Sequence, residues 1–431
     1  MKRLQIGLIG FGTVGAGVVE TLQKNGDLVA ARTGVKLVLA RIADVDITRD
    51  RGVKVAPELL TTDAGVILDD PAIDVVVELV GGTTVAKDFI LRALKNGKAV
   101  VTANKALLAK CGADVLAQAE SSAADLYYEA SVGGGIPIIK ALREGLVGNR
   151  ITGLVGILNG TCNYILTRME KESATFETVL KAAQAAGYAE LNPAFDVDGI
   201  DTAHKAAILA SLAYGEWFSA DRVYVEGIRC VTLQDIQYAA NLGYRIKLLA
   251  ILKHEGNQLQ MRVHPTLIPE RSLLGHVSGV FNAVWVRGEP VGDTLYYGRG
   301  AGREATASAV VADLVDVGLN HSFKSSRRVP AFRGHRAFDQ LLPMSEVRTR
   351  YYLRLQVRNQ PGVLALIAGI LGRHAISIAS VNQKEIVRKD VPLVILTHQA
   401  READMQSALG EIRVLAEVAE TPVLLRIEDL A

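Results

Sequence analysis

Apolar and polar positions along the first 130 residues follow two alternating periods. The runs LQIGLIG (4–10), VKLVLARIADV (35–45), IDVVVELV (73–80), KAVVTANK (98–105) and DLYYEASV (125–132) are short, apolar and rich in β-branched residues, and predict strands. Between them, GFGTVGAGVVETLQ (10–23) and TTVAKDFILRALKNG (83–97) place apolar residues three and four apart and predict helices, the second stopped by Gly97. Strands alternating with helices predict an α/β fold with a doubly wound parallel Rossmann sheet. Further on, SVGGGIPIIKALREGL (131–146) predicts a glycine-rich turn leading through Pro137 into a helix. ITGLVGILNGTCNYILTRME (151–170) predicts a strand, an Asn-Gly turn and a helix from Thr161. FETVLKAAQAAG (176–187) and DTAHKAAILASLAYG (201–215) predict helices flanking the loop YAELNPAFDVDGID (188–201).

The C-terminal pattern differs. KSSRRVPAFRGHRAFDQLLPMSEVRTR (324–350) is basic, turn-rich and poorly periodic, as expected of a linker. After it, YYLRLQV, NQPGVLALIAGILGRH, ISIASVNQKE, VPLVILTH, EADMQSALGEIRVL and VLLRIE read strand, helix, strand, strand, helix, strand. That order is a ferredoxin-like βαββαβ unit. Four regions result: 1–132, completed by about 297–320; 133–296; a linker at 321–349; and 350–431.

Several motifs carry chemistry. Gly10, Gly12 and Gly15 form GxGxxG directly between a strand and a helix, the context of a dinucleotide site in which backbone N–H groups at the helix start meet a pyrophosphate. Ligands of such sheets sit at the carboxyl ends of the strands, which places Gly81, Thr83, Asn104 and Lys105 at the cofactor edge. Arg41 precedes Asp44 and Asp46 at the end of the second strand, and Arg49, Arg51 and Lys54 follow. An acid there suits a free ribose hydroxyl and a basic cluster suits a 2′-phosphate, so NADP is favoured with NAD left open. Gly133, Gly134 and Gly135 either aim carbonyls at a cation or form a hinge. Cys162 lies in the first turn of a helix, where a thiolate is stabilised, and is either a nucleophile or a small buried residue.

The stretch ELNPAFDVDGIDTAHK (190–205) sets Glu190, Asp196, Asp198 and Asp201 ahead of Lys205. A calcium loop fails on counting from Asp196: position 5 is Ile200, position 6 is Asp201 and position 12 is Ala207. A helix start explains Asp201, as a complement to the positive helix end, and Lys205 four residues on. A site for an ammonium-bearing substrate uses all of the charges, with Lys205 as acid or base toward a hydroxyl or carbonyl.

Composition narrows this picture a little. A chain of 431 residues exceeds one core, and its net charge of +2 gives no case for nucleic acid or an anionic membrane. Cys111, Cys162 and Cys230 show no metal or disulfide spacing. The N-terminus has no signal-peptide pattern and no segment is apolar enough to span a bilayer, so a soluble cytoplasmic protein is expected.

The run AQAAGYAELNPAFDVDGIDTAHK resembles the signature of homoserine dehydrogenases. GFGTVG, TANK, GGGIPII, NGTCNYIL and GRGAGREATASAVVAD are similar to further blocks of that family in the same order, over about residues 1–320. The resemblance implies interconversion of L-homoserine and L-aspartate 4-semialdehyde with NAD(P), an α+β substrate and dimerisation domain, and a homodimer or homotetramer. It implies Lys205 as proton donor in reduction and Lys105 as the group that orients substrate and contacts cofactor. Glu190, Asp196 and Asp201 would hold the substrate, with Gly187 and Tyr188 lining its pocket. Phe11, Thr13 and Val14 would meet the cofactor through the backbone, and Gly302 would close over it. Backbone groups around Glu129, Val132, Gly134 and Ile136 match the family's sodium site. The C-terminal unit resembles ACT regulatory domains, which implies an amino-acid effector, threonine by expectation, near Asn359, Gly362 and Ile378, the alternative being a dimer contact alone.

Overall fold

The structure, a computed structural model, describes residues 2–383 and 388–430. The chain packs as two compact units, Met1–Gly160 with Ala203–Val223 and Phe281–Ala337, and Thr161–Thr202 with Tyr224–Val280 and Phe338–Ala431.

The first unit holds the predicted parallel sheet. Its strands are β1 (Lys2–Ile9), β2 (Val35–Ala43), β3 (Leu60–Thr61), β4 (Val75–Glu78), β5 (Ala99–Thr102) and β6 (Leu126–Tyr127). They are ordered β3-β2-β1-β4-β5-β6, every pairing is parallel, and the order reverses beside β1 where a nucleotide cleft opens. Leu4, Ile6, Leu8, Val75, Val77 and Val101 are fully buried because helices cover both faces. One covering helix comes from far along the chain: Arg303–Phe323 lies on Thr13–Thr33 and adds Ala307, Val310, Leu314 and Val317 to the same core. Gly17 permits that approach, since a Cβ there would sit 2.8 Å from both the Cγ and the carbonyl oxygen of Arg303. Strands Arg150–Ile157, Phe281–Glu289 and Gly292–Arg299 form an antiparallel group in this unit.

Three predicted elements end sooner than their apolar runs. The strand read over KAVVTANK stops at Thr102, because Asn104 caps the following helix, Lys105–Ser121. The strand read over DLYYEASV keeps only Leu126–Tyr127 and turns into a 3-10 helix at Glu129–Ser131. The helix after Pro137 is α-helical for Ile138–Lys140 and then widens into a π turn over Ala141–Gly145, with Leu146 N–H donating to the carbonyl of Ala141 at 2.7 Å.

The second unit is built on a long hairpin, Tyr244–Glu255 with Gln258–Pro269. The C-terminal βαββαβ unit is present as Arg348–Arg358, Val363–Arg373, Ile378–Gln383, Asp390–Thr397, Glu402–Arg413 and Val423–Ile427. The predicted third element, 376–385, is a strand over Ile378–Gln383, while its Lys384 and Glu385 lie outside the described residues. Val423–Ile427 pairs parallel with the hairpin, Thr266 opposite Arg426 and Leu267 opposite Ile427, so the module's sheet continues directly into it. The expected linker is itself partly built in: Gln340–Leu341 pairs with Gln258 and Leu259.

Charges are buried at this junction. Asp235, on helix Leu233–Asn241, is fully buried and receives Arg354 Nε at 2.6 Å, Arg354 Nη2 at 3.1 Å and the Tyr352 hydroxyl at 3.1 Å. Arg262 Nη2 donates to Glu428 at 3.0 Å, and Lys253 to the same carboxylate at 2.5 Å.

Candidate active site

The turn after β1 has the shape a dinucleotide needs. Gly10 has φ of 100°, and a Cβ on it would lie 2.6 Å from the backbone of Leu79. A Cβ on Gly15 would lie 2.2 Å from the carbonyl oxygen of Gly10, so the helix packs directly on the turn. A Cβ on Gly12 would meet nothing within 4 Å, because Gly12 faces a cavity of about 280 Å³ lined by Ile9, Gly10, Gly12, Asp44, Val80 and Phe89 among others. Thr13 and Val14 form the first turn of Thr13–Thr33, whose N–H groups have no helical partners at that end. Phe11 is 5% exposed and its N–H donates to Asp44 Oδ2 at 2.5 Å. These residues fit NAD(P): an open backbone cradle, a helix start and an acid at the end of β2.

Arg41 does not line this cavity; its guanidinium, on β2, donates to the carbonyl of Glu58. Arg51 instead reaches the cavity-lining Asp44, at 3.5 Å.

Lys105 is fixed by a chain of hydrogen bonds that the motifs did not include. Glu78, fully buried at the end of β4, accepts the Thr102 hydroxyl at 2.7 Å and the Val80 N–H at 2.8 Å. Thr102 accepts the Asn104 N–H at 3.0 Å, and Asn104 bridges to the Gly82 carbonyl at 2.7 Å and caps Leu107 N–H at 3.1 Å. Lys105 is therefore the first residue of a rigidly anchored helix at the carboxyl edge of the sheet, beside Gly81 and Gly82. Glu78 could have been found as the one acid inside the otherwise apolar run of β4.

Lys205 lies on the helix Ile200–Tyr214 and is 8% exposed. Its ammonium donates to the Leu158 carbonyl at 2.7 Å, and Asn282 Nδ2 donates to the same oxygen at 2.9 Å. Asn282, fully buried, is another residue the sequence did not single out.

Near the glycine run, Gly133 and Gly134 have φ of 76° and 56°. A Cβ on Gly134 would lie 2.5 Å from the backbone of Gly300, and Gly135 N–H donates to the Arg299 carbonyl at 3.0 Å, so this loop packs on the turn that precedes Gly302. Ile138 N–H donates to the Ile136 carbonyl at 2.8 Å and Val132 N–H to that of Glu129 at 3.4 Å, leaving each carbonyl a second lone pair. The Glu129 side chain is 4% exposed and accepts the N–H groups of Ile139 at 2.9 Å and Lys140 at 2.7 Å. Burial pushes its carboxyl up to about 7 against those two donors. Asp313, which accepts the Glu129 N–H at 2.9 Å, is also raised, again chiefly by burial. Gly302 has φ of 121° and starts helix Arg303–Phe323 with open space where a Cβ would be.

The acidic stretch lies mostly in the second unit. Gly187 turns the chain with φ of 75° after helix Phe176–Ala185, and Tyr188 packs on Tyr164 with ring centroids 4.8 Å apart. Glu190 is exposed, Asp196 is half-buried in a short helix Ala194–Val197 inside the expected loop, and Asp201 is 3% exposed. Asp198 is drawn aside into an ion pair with Arg229. Cys162 is fully buried, with its thiol donating to the Asp196 carbonyl at 3.2 Å. In the C-terminal unit, Asn359 N–H donates to the Lys389 carbonyl at 2.9 Å, Gly362 (φ 92°) caps helix Val363–Arg373, and Ile378 begins the edge strand. No helix among the described residues is long and apolar enough to cross a membrane.

Comparison with known proteins agrees along the whole chain. Residues 10–129 match the family model described as homoserine dehydrogenase, NAD binding domain; 137–315 match homoserine dehydrogenase; 351–417 match the ACT domain. A homoserine dehydrogenase of Pseudomonas aeruginosa is 46% identical with all of both chains covered, and one of Neisseria gonorrhoeae is 43% identical over the same extent. The crystal structure of a homoserine dehydrogenase from Thiobacillus denitrificans is similar at a TM-score of 0.95 and 48% identity, covering 100% of this chain and 99% of that one. A hyperthermophilic archaeal homoserine dehydrogenase in complex with NADPH is similar at 0.63 and 26% identity, covering 74% of this chain and 98% of that one.

Proposed function

The chain belongs to the homoserine dehydrogenase family, and on that premise we propose that Lys205 moves the proton of the reaction while Lys105 orients the substrate. The enzyme interconverts L-homoserine and L-aspartate 4-semialdehyde with NAD(P). The nicotinamide, when bound, takes up or supplies the hydride. In oxidation the Lys205 amine accepts the hydroxyl proton of homoserine, and in reduction its ammonium returns a proton to the aldehyde oxygen. The observation that carries this reading is the held position of Lys205: a lysine 8% exposed, its Nζ fixed on the Leu158 carbonyl at 2.7 Å. Lys105 draws its fixed place from the Glu78–Thr102–Asn104 chain.

Glu190, Asp196 and Asp201 take the substrate's ammonium and hydroxyl end, beside Gly187 and Tyr188. The backbone of Gly10, Phe11, Gly12, Thr13, Val14 and Gly15 receives the pyrophosphate, with Gly302 closing over it. NADP is the preferred cofactor; Arg51 supports this better than Arg41, since it touches Asp44 at the cavity. Backbone groups around Glu129, Val132, Gly134 and Ile136 hold a sodium ion; the carbonyls of Glu129 and Ile136 each accept one N–H and keep a second lone pair. The ACT unit binds an amino-acid effector, threonine, around Asn359, Gly362 and Ile378. The protein works in the cytoplasm as a homodimer or homotetramer.

Initial rates of homoserine oxidation test the reading. Homoserine-dependent reduction is expected with both cofactors, faster with NADP, slowed by threonine, and unchanged in Cys162→Ala. No homoserine-dependent reduction with either cofactor would refute it, and loss of turnover in Cys162→Ala would favour a thiol mechanism instead.

A further inference from the structure

Arg426, 1% exposed, is the largest fully buried side chain among the described residues and lies on the last strand of the C-terminal module. Its guanidinium joins two carboxylates. Nε donates to Glu402 Oε2 at 3.0 Å and Nη2 to Glu402 Oε1 at 2.5 Å, while Nη1 donates to Glu226 Oε2 at 2.6 Å and Nη2 to Glu226 Oε1 at 3.0 Å. Glu402 belongs to the module, at the start of helix Glu402–Arg413, and also accepts the Tyr351 hydroxyl at 2.9 Å. Glu226 lies 200 residues away in sequence and continues the short strand Tyr224–Val225. Bidentate guanidinium–carboxylate bonds of this kind fix direction as well as distance.

The residues after Glu226 lie against the loop that carries Asp196. A Cβ on Gly227 would sit 2.2 Å from the Val197 carbonyl oxygen and 2.5 Å from the Asp198 Cα, so backbone rests on backbone with no side chain between. Ile228 N–H donates to the Val197 carbonyl at 2.8 Å, and Arg229 pairs with Asp198. On the other side, Gly199 (φ 83°) leaves 3.0 Å between a would-be Cβ and Val225 Cγ1. The Glu226 N–H is pinned to the Val263 carbonyl at 2.7 Å.

We propose that the Arg426–Glu226 pair is a positioning device through which the C-terminal module sets the placement of the substrate loop 194–199, and with it the affinity for homoserine. This rests on the reading of Asp196 and Asp201 as substrate ligands. The exposed Arg229–Asp198 pair, with side chains 50% and 39% exposed, is too solvated to hold the loop alone. The stiff parts are the buried guanidinium and the close backbone contact at Gly227. A shift of strand Val423–Ile427 carries Glu226 with it, and Gly227 transmits the shift to Val197 without slack.

The test is steady-state kinetics of the full-length protein carrying Glu226→Gln. The neutral amide keeps the size and loses the second acceptor for Arg426. The KM for homoserine is expected to rise roughly 5- to 10-fold, with kcat and the KM for NADP within about 2-fold of the parent. Glu226→Asp, which keeps the charge but draws the carboxylate back from Arg426 by one methylene, is expected to give the same split in smaller measure, and decides the matter should Glu226→Gln fail to fold. An unchanged KM for homoserine in the folded variants, or a parallel loss of kcat and cofactor affinity, would overturn the proposal. Asp201→Asn separates the two readings. If it raises the KM for homoserine while Glu226→Gln does not, only the positioning device fails; if neither does, the substrate assignment fails with it.

Discussion

The nucleotide sheet and the sheet of the C-terminal module each pack an apolar core under helices, yet the module adds buried ion pairs to partners from distant parts of the chain. Strands β1, β4 and β5 bury almost nothing but Leu, Ile, Val and Ala, and the polar exceptions, Glu78 and Thr102, stand at the strand ends where the ligand edge lies. The module buries Arg354, Arg426 and Glu402 in its own elements and matches them with Asp235 and Glu226 from distant parts of the chain. Apolar burial is non-directional and insensitive to charge, at about 1.5–3 kcal/mol for each large side chain. A buried ion pair is close to neutral when complete and costly when broken. The first arrangement makes a scaffold, and the second makes a junction that holds one geometry and registers any change in it.

One substitution on each side should expose the difference. Asp235→Asn leaves the guanidinium of Arg354 buried without its counter-ion, and a loss of about 3–5 kcal/mol is expected by denaturant titration. Ile6→Val in β1 removes one methylene from the nucleotide core and should cost about 1 kcal/mol. Equal losses would deny the contrast.

A smaller effect lies in pH. His264 is fully buried; burial first, then the charges of Arg426 and Arg262, hold its imidazole well below the usual range. Arg262 Nη1 lies 2.9 Å from His264 Nε2, so Nε2 accepts and the ring is neutral, with the proton on Nδ1 facing the Pro265 carbonyl at 3.2 Å and Thr266 Oγ1 at 2.9 Å. Above pH about 6.5 the ring is neutral folded and unfolded and contributes no pH dependence. Below it, only the unfolded state takes up the proton, so stability falls as pH falls. Wild type should lose roughly 0.8 kcal/mol more than His264→Gln between pH 7.5 and 6.0. Identical slopes would show that the folded-state imidazole titrates normally.

The same contrast explains what could be read from the sequence. The parallel sheet, the GxGxxG turn and the βαββαβ order are local: each is written in neighbouring residues with a period of about two or 3.6. Lys205 and Lys105 stand out as candidates because each sits in a compact motif. Glu78 and Asn282 do not, since their roles come from partners on other strands and loops. Arg41 looked basic enough for a phosphate, but its place in β2 turns it to Glu58, whereas Arg51 in the loop comes back to Asp44. The long hairpin Tyr244–Pro269 and the Arg426–Glu226 pair were invisible for one reason: a sequence carries no mark of which charge meets which across 200 residues. Asp198 looked equivalent to its acidic neighbours until Arg229 claimed it.

The central claim is that Lys205 carries the proton beside a bound nicotinamide. Its most direct test is Lys205→Ala, assayed for homoserine oxidation alongside NADPH binding followed by fluorescence. The account predicts a fall in kcat of at least about 10²-fold with NADPH affinity kept, since the lysine lies outside the glycine cradle. Unaltered turnover, or loss of NADPH binding in step with turnover, would contradict it.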